Sequence, residues 1–156
     1  MDHRSIREPQ PGAEPVKTPT AHDIDILAKT AWGEDRGDGL PGMTAVCWVA
    51  RNRAEIAAKT GRQQFGNGSL ASACLAPEQF DCWLGTDPNY RKIVSITLDD
   101  PDFQLATLAA LMVALDQVPD PTNGATGYWA DSIPMPSWAE GKAVTRIGHQ
   151  SYAIGV

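Results

Sequence analysis

From Pro101 to Leu115 the chain is apolar on almost every side of a helix, and no other stretch limits the fold as much. Phe103, Ala106, Ala109, Ala110 and Val113 fall on one side, while Leu105, Leu108, Leu111, Met112 and Leu115 fill much of the rest. A helix apolar all round is normally enclosed by others, so this segment is expected to be the central helix of a mainly helical domain. Pro101 suits its opening turn, and Pro119 and Pro121 require it to have ended. The chain has 156 residues, 42% of them hydrophobic, which suits one compact domain with its own core.

Other elements follow from the same kind of pattern. Ile24, Leu27, Ala28, Ala31 and Trp32 recur at helical spacing, with Thr20 or Asp23 able to cap the start. Gly33, Gly37 and Gly39 are expected to break that helix. Pro41 suits the opening of a second helix, striped by Met43, Val46, Cys47, Ala50 and Ala54, with Arg51 and Arg53 off the stripe and Gly61 as its stop. Trp48 is assigned to helix packing. A helical turn is expected over 70–75 and a short helix over 88–96. Beyond Pro121 the character changes: 123–129 reads as a turn into a strand, and 144–147 and 150–154 supply two more. Helices first and a small sheet last make the fold class α+β, in a single domain over 21–156. Residues 1–20, with four prolines among charged residues, read as a flexible arm.

Composition removes several function classes. A net charge of −6 argues against a nucleic-acid binder, which needs clustered Lys and Arg, and no window approaches the length of a transmembrane helix. His3, His22 and His149 are scattered, and no His-x-x-x-His or paired Cys-x-x-Cys spacing occurs, so neither metal nor other cofactor is expected. Of three cysteines, Cys47 reads as a buried small hydrophobe. Cys74 and Cys82 flank a short loop and can bridge in an oxidising compartment, which would add roughly 2–3 kcal/mol.

The tract 31–39, Ala-Trp-Gly-Glu-Asp-Arg-Gly-Asp-Gly, places an acid at the end of the first helix. The negative end of a helix dipole disfavours the anionic form of a carboxyl there, and partial burial near Trp32 acts in the same direction. A carboxylic acid held protonated beside open, glycine-lined space suits general-acid chemistry. As a solvated helix-end loop, the same residues would do nothing.

Several segments in order resemble the spore-cortex-lytic (SleB-like) cell wall hydrolase family. Leu27 to Asp38, through Gly33-Glu34-Asp35-Arg36-Gly37-Asp38, is similar to the family's Gly-Glu-Ala-Arg-Gly-Glu motif. Gly42 to Arg53 resembles its next helix, Cys74 with Gln79-Phe80-Asp81-Cys82-Trp83 its Cys…Gln-Phe-Ser-Cys-Trp segment, and Gly124-Ala125-Thr126-Gly127-Tyr128 its Gly-Ala-Thr-His-Tyr. Pro136-Ser137-Trp138 and Ile147-Gly148 follow. The resemblance implies peptidoglycan as substrate, cleavage of the glycan strand with Glu34 as essential acid, and a fold related to lysozyme-like transglycosylases. Asp38 stands in place of a second Glu, and Gly127 and Gln150 in place of histidines.

Glycosidic cleavage needs a proton on the leaving oxygen. A hydrolase adds a second carboxylate, about 5–5.5 Å away for retention or about 6.5–9.5 Å for inversion. Asp38 and Asp81 are the candidates for that group, and neither is compelling. A lytic transglycosylase needs only Glu34, as acid and then as base, so that a muramyl C6 hydroxyl closes a 1,6-anhydro ring. This is the preferred reaction, with a lysozyme-type muramidase next. Gln79 and Thr126 are candidate hydrogen-bonding residues for sugar, and Trp83, Tyr128, Trp138 and Tyr152, with Trp129, candidate stacking surfaces. An N-acetylmuramoyl-L-alanine amidase and an inactive glycan-binding or phage-structural module are the rivals from other classes. The expected setting is a monomer made in the cytoplasm and acting on cell-wall glycan, released by a holin as a phage endolysin or delivered by a particle.

Overall fold

The computed structural model describes residues 16–155, so most of the expected arm lies outside the described residues. Val16 packs against the core, and the Lys17 N–H donates to the Gly68 carbonyl at 3.2 Å.

Five helices form the first part: α1 Ala21–Asp35, α2 Gly39–Thr60, α3 Leu70–Leu75, α4 Tyr90–Ile93 and α5 Pro101–Ala114. Thr20 caps α1 in a reciprocal pair with Asp23, each side chain accepting from the other residue's backbone N–H. Asp23 also accepts from the Ala71 N–H at 2.8 Å, which fixes α3 against the start of α1. Asp100 caps α5 through the Phe103 N–H at 2.9 Å, with Pro101 in the first turn.

Two expectations need correction. The first helix does not break at Gly33 but runs through it to Asp35, so Glu34 belongs to its last turn. And α5 is not enclosed. Its small-residue side, Phe103, Ala106, Ala109, Ala110 and Val113, packs on α1 and α2, whereas Leu105, Leu108, Leu111 and Leu115 face outward, 38–56% exposed. Alanines let helices approach closely, so they, and not the leucines, take the inner face. The central helix is α2, which buries Met43, Ala45, Val46, Cys47, Val49 and Ala50 completely between α1, α3 and α5. Among the described residues no helix is long and apolar enough to cross a membrane.

Three consecutive residues of α2 fasten the rest of the chain to it. The Arg51 guanidinium donates to the Val113 carbonyl at 2.7 Å and to Asp116 at 3.0 Å, closing the end of α5. Asn52 donates to Asp120 and to the Ala125 carbonyl, both at 2.9 Å. Arg53, buried and lying 4.6 Å over the Phe80 ring, donates to the carbonyls of Thr126 at 2.8 Å and Gln79 at 3.0 Å. Arg51 and Arg53 lie off the apolar stripe, yet Arg53 is one of the joints of the fold.

The sheet follows, with β1 Gly127–Ala130, β2 Thr145–Ile147 and β3 Gln150–Ala153 in the order β1-β3-β2, all antiparallel. Tyr128 is directly opposite Tyr152, and their rings are 5.6 Å apart. The fold is thus mainly helical with a three-stranded sheet. All three cysteines are free and buried, and Cys74 and Cys82 are not bridged in this structure.

Candidate active site

Glu34 is half-buried at the C-terminal end of α1, where helix, sheet and the 80–84 turn converge. Each carboxyl oxygen has its own donor. The Cys82 N–H donates to Oε1 at 3.0 Å, and the Tyr128 hydroxyl donates to Oε2 at 2.7 Å. Three separate segments therefore define one carboxyl.

Local sequence explains this convergence. A side chain at Gly33 would put its Cβ 2.7 Å from the Cys82 Cβ, a contact real atoms do not make. Glycine inside α1 thus lets the 80–84 turn come close enough for its N–H to reach Glu34. The Trp83 indole N–H donates to Thr30 Oγ1 at 2.8 Å, anchoring that turn one helical turn back on α1. Arg53 holds the Gln79 and Thr126 carbonyls on either side of Phe80, whose ring lies 6.5 Å from that of Tyr128. Burial, and after it the neighbouring Glu34, pushes the Tyr128 phenol well above its ordinary range, so it keeps its proton.

The end of α1 is finished by side chains. The Arg36 guanidinium stacks 3.9 Å over the Trp32 ring, donates to the Trp32 carbonyl at 3.1 Å and to Asn89 Oδ1 at 3.1 Å. Asn89 in turn donates to the Gly33 carbonyl at 3.2 Å. Beside them opens a cleft of about 530 Å³, lined by Gly33, Glu34, Asp35, Arg36, Gly37, Asp38, Asn89 and His149.

The carboxyl groups around Glu34 are in different states. Asp35 is buried, one of its oxygens has no hydrogen-bond partner, and burial followed by the adjacent Asp38 pushes it up to about 8. It is a neutral acid at pH 7. Asp38 has both oxygens engaged by one residue: the His149 N–H donates to Oδ2 at 2.9 Å and His149 Nδ1 lies 2.5 Å from Oδ1. These bonds outweigh desolvation and hold Asp38 below the ordinary carboxylate range. Gly148, at φ +58°, permits the approach, since a Cβ there would lie 2.4 Å from the Asp38 Cγ. Asp81 opens a 3-10 turn over Asp81–Trp83 and is exposed.

Of the other sequence-predicted site residues, only Tyr128 meets Glu34 directly. Trp83 is half-buried and tied to Thr30, and Gln79 donates weakly to the Pro77 carbonyl at 3.4 Å. Thr126 is buried, its hydroxyl accepting from the Gly155 N–H at 2.8 Å. Tyr152 is wholly buried and offers no ring face to a sugar. Trp138 packs edge-on against Trp129 at 5.5 Å, with its ring 2.7 Å from where a Cβ on Gly127 would be. A histidine at 127 would have no room in this arrangement. Sequence reasoning missed Asp35, Arg36, Asn89 and His149. Arg36 carried a signal, being inside the quoted motif, but nothing in spacing links His149 to Asp38, 111 residues away.

A scan against protein families matches residues 37–153 to the cell wall hydrolase family, a span that begins three residues after Glu34. A search of curated proteins returns no match. Among solved structures, the catalytic domain of the Bacillus cereus SleB protein is similar with a TM-score of 0.67 at 20% identity, over 90% of this chain and 95% of that one. The catalytic domain of the germination-specific lytic transglycosylase SleB from Bacillus anthracis is similar with a TM-score of 0.61 at 21% identity, over 88% and 98%. These likenesses establish a shared fold. With well over half of its length matched, the chain belongs to the cell wall hydrolase family.

Proposed function

We propose that this protein cleaves the MurNAc–GlcNAc bond of peptidoglycan by lytic transglycosylation, with Glu34 as its one acid/base. The observation that carries this reading is the pair of donors on Glu34, the Cys82 N–H and the Tyr128 hydroxyl, beside an open cleft. A phenol can donate to a carboxylate or accept from a carboxylic acid, so Tyr128 keeps its partner through both steps. In the first, Glu34 gives its proton to the glycosidic oxygen as the bond to the muramyl anomeric carbon breaks, leaving an oxocarbenium-like centre. In the second, the Glu34 carboxylate takes the proton of the C6 hydroxyl, whose oxygen bonds to the anomeric carbon. The product ends in 1,6-anhydro-MurNAc, and no water is consumed.

The state of the other carboxyls supports a single-acid route over hydrolysis. A muramidase needs a second carboxylate free to hold water or attack carbon. Asp35 is neutral at pH 7 and Asp38 is taken up by His149, so of these carboxyls only Asp81, exposed on the 80–84 turn, is left for a hydrolytic route. The fold shared with a lytic transglycosylase points the same way. In this reading the enzyme is a phage endolysin, reaching the wall through a holin.

Glu34→Gln tests the assignment. Glutamine keeps the size of the side chain but has no proton to give, so release of soluble fragments from purified sacculi should fall by roughly 10²–10⁴ or more. The circular dichroism spectrum should be unchanged. Wild-type release by a folded variant would remove Glu34 from the mechanism.

A further inference from the structure

His149 lines the cleft with Glu34, yet the proposed reaction gives it nothing to do. Its side chain is 84% exposed at the β2–β3 turn, and two bonds to Asp38 fix its ring. With Nδ1 directed at Asp38, Nε2 is the ring's remaining polar atom, with no partner among the described residues. A carboxylate against one ring nitrogen favours the imidazolium form, in which the other nitrogen is a charged donor. Asp38, on the Arg36–Asp38 turn, accordingly raises His149 above its ordinary range; Asp131, just after β1, acts in the same sense, and Arg146 of β2 opposes them. Arg36 lines the same cleft, together with the carboxyls of Glu34, Asp35 and Asp38, and Arg36 is committed to Trp32 and Asn89, so the exposed Nε2 of His149 is the donor this wall leaves open.

We propose that His149 is a specificity-determining residue that binds a stem-peptide carboxylate of peptidoglycan through its Nε2–H. The inference rests on the reading of the cleft as a peptidoglycan site. The acetylated glycan strand is uncharged; the anionic groups of the polymer belong to the peptides, which are attached to the muramyl residue whose bond is broken. A charged donor beside the acid/base therefore separates strands whose peptide carboxyls are free from strands whose peptide carboxyls are blocked. Asp38 is the positioning residue behind it.

The test compares wild type, His149→Gln and His149→Lys on two soluble polymers: strands bearing native stem peptides and the same strands with the peptide carboxyls amidated. Because the side chain is exposed and the backbone N–H bond to Asp38 survives substitution, the variants should fold. Wild type should prefer native over amidated strands by about tenfold in kcat/KM, the size of one charge-assisted hydrogen bond. That preference should fade as pH rises through the elevated His149 range. In His149→Gln the ratio should approach unity at every pH, and in His149→Lys the preference should persist to higher pH. Equal rates of wild type on native and amidated strands, or an undiminished preference in His149→Gln, would overturn the inference alone. Failure of the wild type to cleave either polymer would overturn the proposed function and this inference with it.

Discussion

The chemistry of a carboxyl is set by its few nearest atoms, and residues 34, 35 and 38 illustrate this within one turn of chain. Glu34 has a donor on each oxygen, Asp38 has both oxygens on His149, and Asp35 has a buried oxygen with no partner. Since Asp35 is pushed up to about 8 from an ordinary 3.8, the folded chain holds a proton there that the unfolded chain has lost. Stability from this group therefore falls as pH rises between about 4 and 8, and is level above that. Asp38, held below its ordinary value, acts oppositely in acid; the His149 contribution is full below its ordinary range and is lost as pH rises through the raised one. Asp35→Asn removes only the first of these. The variant should gain on wild type by roughly 5 °C or more in Tm between pH 4.5 and 8; thermal unfolding across that range checks it, and parallel curves would contradict it. None of these differences was legible in the sequence beyond Glu34 itself. A motif can mark an acid at a helix end, but the orphaned oxygen of Asp35 and the clasp on Asp38 depend on a glycine turn and a histidine over a hundred residues later.

Elements were easier to read than their surroundings. The cap of α1 by Thr20, the opening of α5 at Pro101, the stop at Gly61 and the strands at 127–130, 145–147 and 150–153 follow from local residues, and local rules found them. The two misreadings, the break at Gly33 and the enclosed α5, both concern what packs outside the element. Gly33 looked like a helix end because glycine usually weakens a helix; here it is kept for the approach of Cys82. This reverses the usual sign of a substitution. On an open helix Gly→Ala would add about 1 kcal/mol, but Gly33→Ala should cost about 1–3 kcal/mol through overpacking. It should also lower activity, measured well below the melting temperature, as the Cys82 N–H is pushed away from Glu34. Denaturant unfolding and fragment-release rates give both numbers, and a stabilised, fully active variant would contradict the packing account.

Over the whole molecule, a helical layer and a small sheet meet along α2, and the site lies where both can contribute. Glu34 comes from α1, Tyr128 from the sheet, and the Cys82 N–H from the turn between α3 and α4. The α+β class was legible because the sequence changes character once, near Pro121, and the ordered motifs carried the family. The joints made by Asn52 and Arg53 were not, because a polar residue beside an apolar stripe does not disclose which carbonyls it will reach. The proposed single-acid reaction makes a definite demand on the product. The most direct measurement is mass spectrometry of muropeptides released from purified sacculi, before and after borohydride. The account predicts MurNAc ends lighter by one water than hydrolytic ends and unchanged by borohydride, since an anhydro ring has no carbonyl to reduce. MurNAc ends that all gain hydrogen on reduction would contradict it and make the enzyme a muramidase.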